Sequence, residues 1–284
     1  MKVMIIGASG MLGNAMFRTF AAVEGFKVTG TVRNLIARRW FEDSKQNNLL
    51  HGVEVEQADS LTNAFRVIKP DLVINCVGVV KQLAAADDPL ITLPINALLP
   101  HRLAALCEIA GARLVQISTD CVFSGARGNY VESDFPDADD LYGRSKLLGE
   151  VDYPNAITLR TSIIGHELSG ARSLVNWFLA QEGSVKGYTR AVFSGLPTVV
   201  LAELVRDLVA PRPDLHGLYH VAAAPITKFD LLGLVADAYG KAIEIVPSDA
   251  LVIDRSLDAT RFNVATGYTP PAWPALIARM RQFQ

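Results

Sequence analysis

Three features of this 284-residue chain predict an α/β fold built on a doubly wound parallel sheet, with a smaller C-terminal lobe. The first 160 residues alternate short apolar runs with amphipathic stretches, a βα rhythm that puts helices on both faces of a parallel sheet. The first apolar run ends in a glycine-punctuated turn, Gly7-Ala-Ser-Gly10-Met-Leu-Gly13, which opens a helical pattern. Beyond Arg160 the rhythm gives way to glycine, aromatic and proline punctuation, so the chain divides into 1–160 and 161–284.

Lys2-Val-Met-Ile-Ile6 reads as a buried strand, and Leu12, Met16, Phe20 and Val23 form one apolar stripe of a helix over 11–24. Further strands fit 27–32, 53–56, 71–77, 112–118 and 156–160, with helices at 35–42, 61–69, 91–110 and 140–150 between them. Right-handed crossovers arrange such a series as a Rossmann-like sheet. In the second region, helices fit 171–181, 199–209 and 227–239, a strand fits 243–246, and a tail helix starts near Pro274.

Half of the residues are hydrophobic and a fifth are charged, the balance of an ordinary globular protein. A net charge of −2 gives no electrostatic case for nucleic acid or for an acidic membrane surface. Cys76, Cys107 and Cys121 are widely spaced and odd in number, which points to a reduced, cytoplasmic setting rather than a disulfide framework. The five scattered histidines show no metal-ligand spacing. The Met-Lys-Val-Met-Ile-Ile start is too short for a signal h-region, and no uninterrupted apolar stretch approaches ~18 residues, so no membrane span is expected.

Three segments carry chemistry. Strand, glycine turn and helix in that order make a phosphate cradle: Gly7, Gly10 and Gly13 allow a tight turn and close backbone approach. Ser9, Met11 and Leu12 present backbone at the start of the helix. Val115-Gln-Ile-Ser-Thr-Asp120 is an apolar strand running into two hydroxyls and a carboxylate, at the strand end where open parallel sheets bind ligands. In Leu141-Tyr-Gly-Arg-Ser-Lys-Leu-Leu-Gly-Glu150, Tyr142 and Lys146 share a helix face one turn apart. An ammonium there favours the phenolate; moving a phenol from ~10 to near 7 takes about 4 kcal/mol. A solvated helix also produces such a pair, and the other two segments argue for the chemical reading.

After the second strand, Thr29-Gly-Thr-Val-Arg33 carries no acidic residue to accept from ribose hydroxyls, and Arg33 suits a 2′-phosphate, which favours NADPH over NADH. The alternative for Arg33 is a solvated loop cation.

Together these segments resemble the extended short-chain dehydrogenase/reductase superfamily, in its dTDP-4-dehydrorhamnose reductase-like branch. Asn75-Cys-Val-Gly78 resembles the branch's Asn-Ala-Ala-Gly turn, and Ser118-Thr-Asp-Cys-Val-Phe-Ser-Gly125 its Ser-Thr-Asp-Tyr-Val-Phe-Asp-Gly. Gly128-Asn-Tyr-Val-Glu-Ser-Asp134, Gly195-Leu-Pro-Thr198, Gly217-Leu-Tyr-His220 and Arg255-Ser-Leu-Asp258 follow in order. The resemblance implies hydride transfer from NAD(P)H to the ketone of a nucleotide-linked 4-keto sugar. It implies Tyr142 as proton donor, Lys146 as its pKa modulator and ribose ligand, and Thr119 as hydrogen-bond donor to the ketone oxygen. It places Asp59 and Ser60 at the adenine and Cys76, Val77 and Gly78 beside the nicotinamide half. It also implies a C-terminal substrate lobe that returns partly to the nucleotide lobe.

On the substrate side stand Asp120, Arg160 at a strand end, and Arg255 in a late loop, the last as a pyrophosphate contact or half of a surface salt bridge. Lys81-Gln82 either lines the sugar site or is a solvated loop pair. Cys121 stands where related dehydratases carry a glutamate, which disfavours dehydration. A C4 epimerase, or a non-catalytic nucleotide-binding regulatory subunit, stays open as an alternative. The resemblance also makes a homodimer an expectation.

Overall fold

The computed structural model describes residues 1–81 and 84–284. Its internal contacts divide the chain into two units: Met1–Ser118, Asp140–Leu159 and Ala202–Leu218 form the first, and Thr119–Asp139, Arg160–Leu201 and Tyr219–Gln284 the second. The sequence-based division at residue 160 therefore differs from this one at two segments. Residues 119–139 cluster with the second unit and 202–218 with the first.

The first unit runs β1 (Lys2–Ile6), α1 (Met11–Ala21), β2 (Lys27–Val32), β3 (Leu49–His51), α2 (Ala58–Ile68) and β4 (Leu72–Asn75). It continues through α3 (Pro89–Thr92), α4 (Leu99–Ala110), β5 (Arg113–Thr119), α5 (Leu141–Leu148) and β6 (Ala156–Thr161). A seven-stranded sheet takes the order Gly217–His220, β6, β5, β4, β1, β2, β3. β1 pairs in parallel with β2 on one side and β4 on the other, so the winding reverses there. Ligands bind outside the carboxyl ends of strands at such a switch point. Val3, Met4, Ile5 and Ile6 are all fully buried, which is why β1 reads as an unbroken apolar run rather than an alternating one. One face of the sheet packs Met4, Ile6, Val73 and Leu114 against Leu61 and Phe65 of α2 and Leu99 and Leu103 of α4.

Between α3 and α4 the helix is π-bonded over Leu93–Leu98, so Pro89–Ala110 is one continuous rod whose most apolar stretch of 18 residues has a mean hydropathy of 1.4. By length and composition this rod could cross a membrane. The expectation of no span rested on uninterrupted runs, which Pro94, Asn96, Pro100, His101 and Arg102 break. Leu99, Leu103, Ala104 and Cys107 on the rod are buried against the core, as in the core helix of a globular unit.

The third strand lies at Leu49–His51, not 53–56. Gly52 takes φ +72°, which ends the extended run, and Gln57 N closes a turn on Glu54 O, so the alternation of Val53 and Val55 is a turn rather than a strand. The 35–42 helix is a 3₁₀ segment, Leu35–Trp40, followed by a second at Asp43–Asn48. The 199–209 helix is observed as Thr198–Leu204 extended by π-type bonding over Val205–Val209.

In the second unit Ala191–Phe193 is the middle strand of three, flanked by Ile226–Thr227 and Ile253–Asp254. Ser184–Tyr188 pairs in parallel with Glu244–Ser248. The helix Lys228–Tyr239 is capped by Thr227, whose hydroxyl accepts from Asp230 N at 3.1 Å. Gly128 (φ +77°) lets the 125–130 loop run beside the last strand: a Cβ there would sit 2.3 Å from the Asp254 carboxyl carbon. Phe123, just before this loop, stacks on Tyr130 at its end, with ring centroids 4.1 Å apart.

Candidate active site

The glycine turn has the geometry of a phosphate cradle. Gly7 holds φ +83°, and a Cβ at Gly13 would lie 2.0 Å from Gly7 O, so neither position accepts a side chain. Gly10 N donates to Gly7 O at 3.0 Å, and Gly10 caps α1 with no side-chain hydrogen bond and no acidic residue in the first turn. The first N–H groups of α1, at Met11, Leu12 and Gly13, lack carbonyls one turn earlier in the helix, and the macrodipole adds positive potential there. A pyrophosphate fits this bare backbone. Ser9 and Gly10 are exposed.

Lys146 is the centre of the first unit's chemistry. It is 7% exposed, and its Nζ donates to Ile117 O of β5 at 2.7 Å. Burial pushes its pKa down from 10.5 to about 8, opposed by the carboxylate of Glu150, which favours the charged form. Burial also pushes the Cys76 thiol up to about 12, so it is uncharged at neutral pH. A Cβ on Gly78 would come within 3.9 Å of Lys146 Nζ and 3.3 Å of Asn96 Oδ1, which leaves the backbone after β4 open beside the ammonium. Tyr142, half-buried, lies one turn before Lys146 on the same face of α5. Asp140 caps that helix by accepting from Gly143 N at 2.7 Å.

In the second unit, Thr119 Oγ1 donates to Asp120 Oδ1 at 3.2 Å and accepts from Cys121 N at 3.1 Å. Asp120 is 8% exposed, and burial raises its pKa against the opposing effect of Arg255. Arg255 Nε donates to Phe123 O at 2.7 Å, and its Nη1 lies 3.7 Å from Cys121 Sγ. It is thus held inside the unit rather than serving as half of a surface salt bridge. Lys228, at the start of its helix, faces Asp120, Arg255 and Cys121, and its pKa is lowered by burial.

The profile of the RmlD substrate binding domain family matches residues 1–275. The chain belongs to this family. The match places it in the branch of the extended short-chain dehydrogenase/reductase superfamily that its motifs resemble. It is 28% identical over 272 residues to a probable low-salt glycan biosynthesis reductase of Haloferax volcanii, covering 91% of this chain and 85% of that protein. Methionine adenosyltransferase 2 subunit beta of Danio rerio is 27% identical over 88% of this chain and 76% of that protein. Among solved structures, a dTDP-4-dehydrorhamnose reductase of Clostridium acetobutylicum superposes with a TM-score of 0.81 at 22% identity, covering 100% of this chain and 99% of the other. The dTDP-4-dehydrorhamnose reductase of Bacillus anthracis in complex with NADP also has a TM-score of 0.81, at 20% identity, and covers 100% and 99%. Both share this fold.

In this member of the RmlD substrate binding domain family, other predicted site residues stand as follows. Arg33 is exposed just past β2. Asp59 is exposed in the first turn of α2, while the Ser60 hydroxyl is engaged locally, accepting from Glu54 N at 2.9 Å and donating to Gly52 O at 3.2 Å. Ser60 therefore holds the turn into α2 rather than lying free beyond a strand. Lys81 is exposed and pairs with Asp140, the residue that caps α5, at 2.6 Å. Gln82 lies outside the described residues.

Arg160 is 3% exposed, with its guanidinium 5.2 Å from the Phe123 ring and 3.3 Å from His220 Nε2. Since His220 Nδ1 faces Tyr130 O at 3.0 Å and must donate to it, Nε2 is the acceptor for Arg160. Arg160 is thus an interior residue of the second unit, not an exposed substrate contact. Burial and Arg160 push His220 down to about 4, so it stays neutral.

Four residues have a role in the structure that the sequence does not assign to them. Asn96 donates to Val79 O at 3.0 Å and to Ser145 Oγ at 3.2 Å, and accepts from Val79 N, tying the turn after β4 to α5. Ser145 accepts from Asn96 and donates to Tyr142 O at 2.9 Å, Glu150 accepts from Ser118 and faces Lys146, and Lys228 joins Arg255. The π-bonded segment around Asn96 was the one findable signal, a proline inside an otherwise helical pattern.

Proposed function

We propose that this protein is an NAD(P)H-dependent reductase of a nucleotide-linked 4-keto sugar, with NADPH preferred. The carrying observation is Lys146: a buried ammonium fixed to β5, facing the open backbone at Gly78, one turn from Tyr142, in the unit that holds the glycine cradle. Ser9, Met11, Leu12 and Gly13 offer backbone N–H groups to the pyrophosphate, Gly7 and Gly10 shape the turn that lets it approach, and Arg33 holds the 2′-phosphate. Asp59 serves the adenine, and Cys76, Val77 and Gly78 give backbone access to the nicotinamide half. When bound, the reduced nicotinamide supplies the hydride.

Lys146 donates to the ribose and lowers the pKa of Tyr142, whose phenol gives its proton to the ketone oxygen as negative charge develops there. Thr119, the residue after Ser118 on β5, turns its one hydroxyl proton from Asp120 to that oxygen when substrate is bound. In the second unit, Lys228 and Arg255 both lie by Asp120, and two such cations suit the diphosphate of the substrate. A cytoplasmic homodimer is the setting we assign to this activity.

The test follows the loss of NADPH absorbance with a panel of 4-keto nucleotide sugars. The wild type should turn over, and Tyr142→Phe should lose activity by orders of magnitude while keeping its NADPH affinity; equal turnover in the variant would remove the proton-donor role. A second reading rests on the relatives named methionine adenosyltransferase 2 subunit beta: a nucleotide-binding subunit without turnover. Tight NADPH binding with no activity across the panel would favour it. An epimerase would turn over without net NADPH loss.

A further inference from the structure

We propose that Glu150 is a positioning residue of this site: its carboxylate fixes the end of β5 through Ser118 and supplies the negative charge that Lys146 faces. Ser118 Oγ donates to Glu150 Oε1 at 2.6 Å, and Lys146 Nζ donates to Ile117 O at 2.7 Å. Two consecutive residues of β5 are therefore gripped by two oppositely charged residues four apart in the chain, and Thr119 comes next. The place of Glu150 is itself fixed. A Cβ at Gly149 would lie 1.9 Å from Asn96 O, so the chain leaving α5 is pressed against the π-bonded helix in a way only glycine allows. Glu150 N then donates to Leu147 O at 3.1 Å, and Val151 N to Thr158 Oγ1 at 3.1 Å, which closes the turn on both sides.

The groups facing Lys146 explain why this carboxylate matters. From its own segment come Tyr142, one turn before it, and Glu150 after it; from the end of β4 comes Cys76. Burial keeps the Cys76 thiol protonated, so Cys76 offers no charge at neutral pH. Burial of an ammonium favours its neutral form, and a nearby anion opposes this. Glu150 is that anion. A neutral Lys146 would neither polarise Tyr142 nor bind a ribose as strongly, because charge-assisted hydrogen bonds are the stronger ones. The consequence for binding rests on the proposed contact of Lys146 with the dinucleotide; the effect on Lys146 itself does not.

The experiment reads Lys146 directly, by titrating its side-chain nitrogen by NMR in the lysine-labelled protein without ligand, alongside NADPH affinity against pH. In Glu150→Gln, which keeps a hydrogen-bond acceptor for Ser118 and loses the charge, the titration midpoint should fall by about one pH unit, with NADPH affinity near its wild-type midpoint falling severalfold. Glu150→Asp, which restores the charge, should bring the midpoint most of the way back. Ser118→Ala, which removes the hydrogen bond alone, should leave it in place. A wild-type midpoint in Glu150→Gln, or a shift in Ser118→Ala as large as that in Glu150→Gln, would overturn the proposal. If Lys146→Met binds NADPH with wild-type affinity, the ribose contact fails, while the NMR midpoints still decide the role of Glu150.

Discussion

Replacing Lys146 by methionine should make the ligand-free protein more stable while abolishing its activity. The magnitude follows from the burial of the ammonium. Its pKa falls from 10.5 to about 8, and at ~1.4 kcal/mol per unit the charged form costs the fold about 3 kcal/mol relative to the neutral one. Methionine fills nearly the same volume without that charge, but the hydrogen bond to Ile117 O is lost, worth about 1–2 kcal/mol. The net gain near neutral pH is about 1–2 kcal/mol.

Its pH dependence identifies the source. Because the folded pKa lies below the unfolded one, the unfolded chain binds more protons between about pH 8 and 10.5. Wild-type stability therefore rises with pH across that window. The variant lacks this contribution, so its advantage should shrink by about 1.4 kcal/mol per pH unit and vanish, or reverse, at the upper end. Urea unfolding of both proteins at several pH values, without cofactor, measures the difference directly. Titrating groups away from Lys146 are shared and cancel, and Tyr142→Phe in both proteins removes the phenol that Lys146 shifts. A difference that stays constant through the window, or a variant less stable than wild type near pH 7, would refute the reasoning.

Other positions give sharper local tests. Gly13→Ala puts a methyl 2.0 Å from Gly7 O and should cost about 1–3 kcal/mol or more, with loss of NADPH binding; Gly10→Ala, 3.4 Å from the same oxygen, is the control, and equal thermal shifts in the two would contradict the cradle geometry. Arg33→Ala should weaken NADPH binding tenfold or more and NADH binding little, since a charge-assisted contact is worth about 1.5–3 kcal/mol; equal losses for both cofactors by fluorescence titration would exclude the 2′-phosphate role. His220, pushed from 6.5 down to about 4, should make stability fall as the pH drops through that interval, because the unfolded chain then binds the extra proton. The total is about 3 kcal/mol, and His220→Gln should flatten the slope in acid denaturation.

What the sequence disclosed and what it hid divide along the range of the interactions. β1 announces itself because both faces are buried, and the glycine turn because its steric demands lie within seven residues. Tyr142 and Lys146 are legible as a pair through helix periodicity alone. β3 was hidden: Leu49-Leu50-His51 is too short to show a pattern, and the alternation just after it belongs to a turn begun by Gly52. Asn96 and Glu150 look like ordinary polar residues until the fold brings Asn96 to Val79 and Ser145, and Glu150 to Ser118, 32 residues away. Lys228 is the same case in the second unit, a helix-start lysine whose surroundings come from segments more than 100 residues earlier and from Arg255. Arg160 misled for the opposite reason. A strand-end arginine suggests a ligand contact, yet His220 and the Phe123 ring take it into the interior.

Each unit therefore carries a lysine that its own burial discourages from being charged, Lys146 in the first and Lys228 in the second. Folding alone gains nothing from either, since a buried ammonium destabilises unless it is fully paired. Perturbed groups of this kind concentrate where a ligand completes the environment. A ribose hydroxyl accepting from Lys146, or an oxyanion at Lys228, restores the missing acceptor, favours the charged form and raises the pKa. Binding must then draw a proton from solvent near pH 8, where Lys146 is only partly protonated. The binding heat of NADPH should accordingly depend on the ionisation enthalpy of the buffer at that pH and lose this dependence in Lys146→Met. Binding heats that are identical across buffers in the wild type would mean that Lys146 is not where the dinucleotide makes its contact.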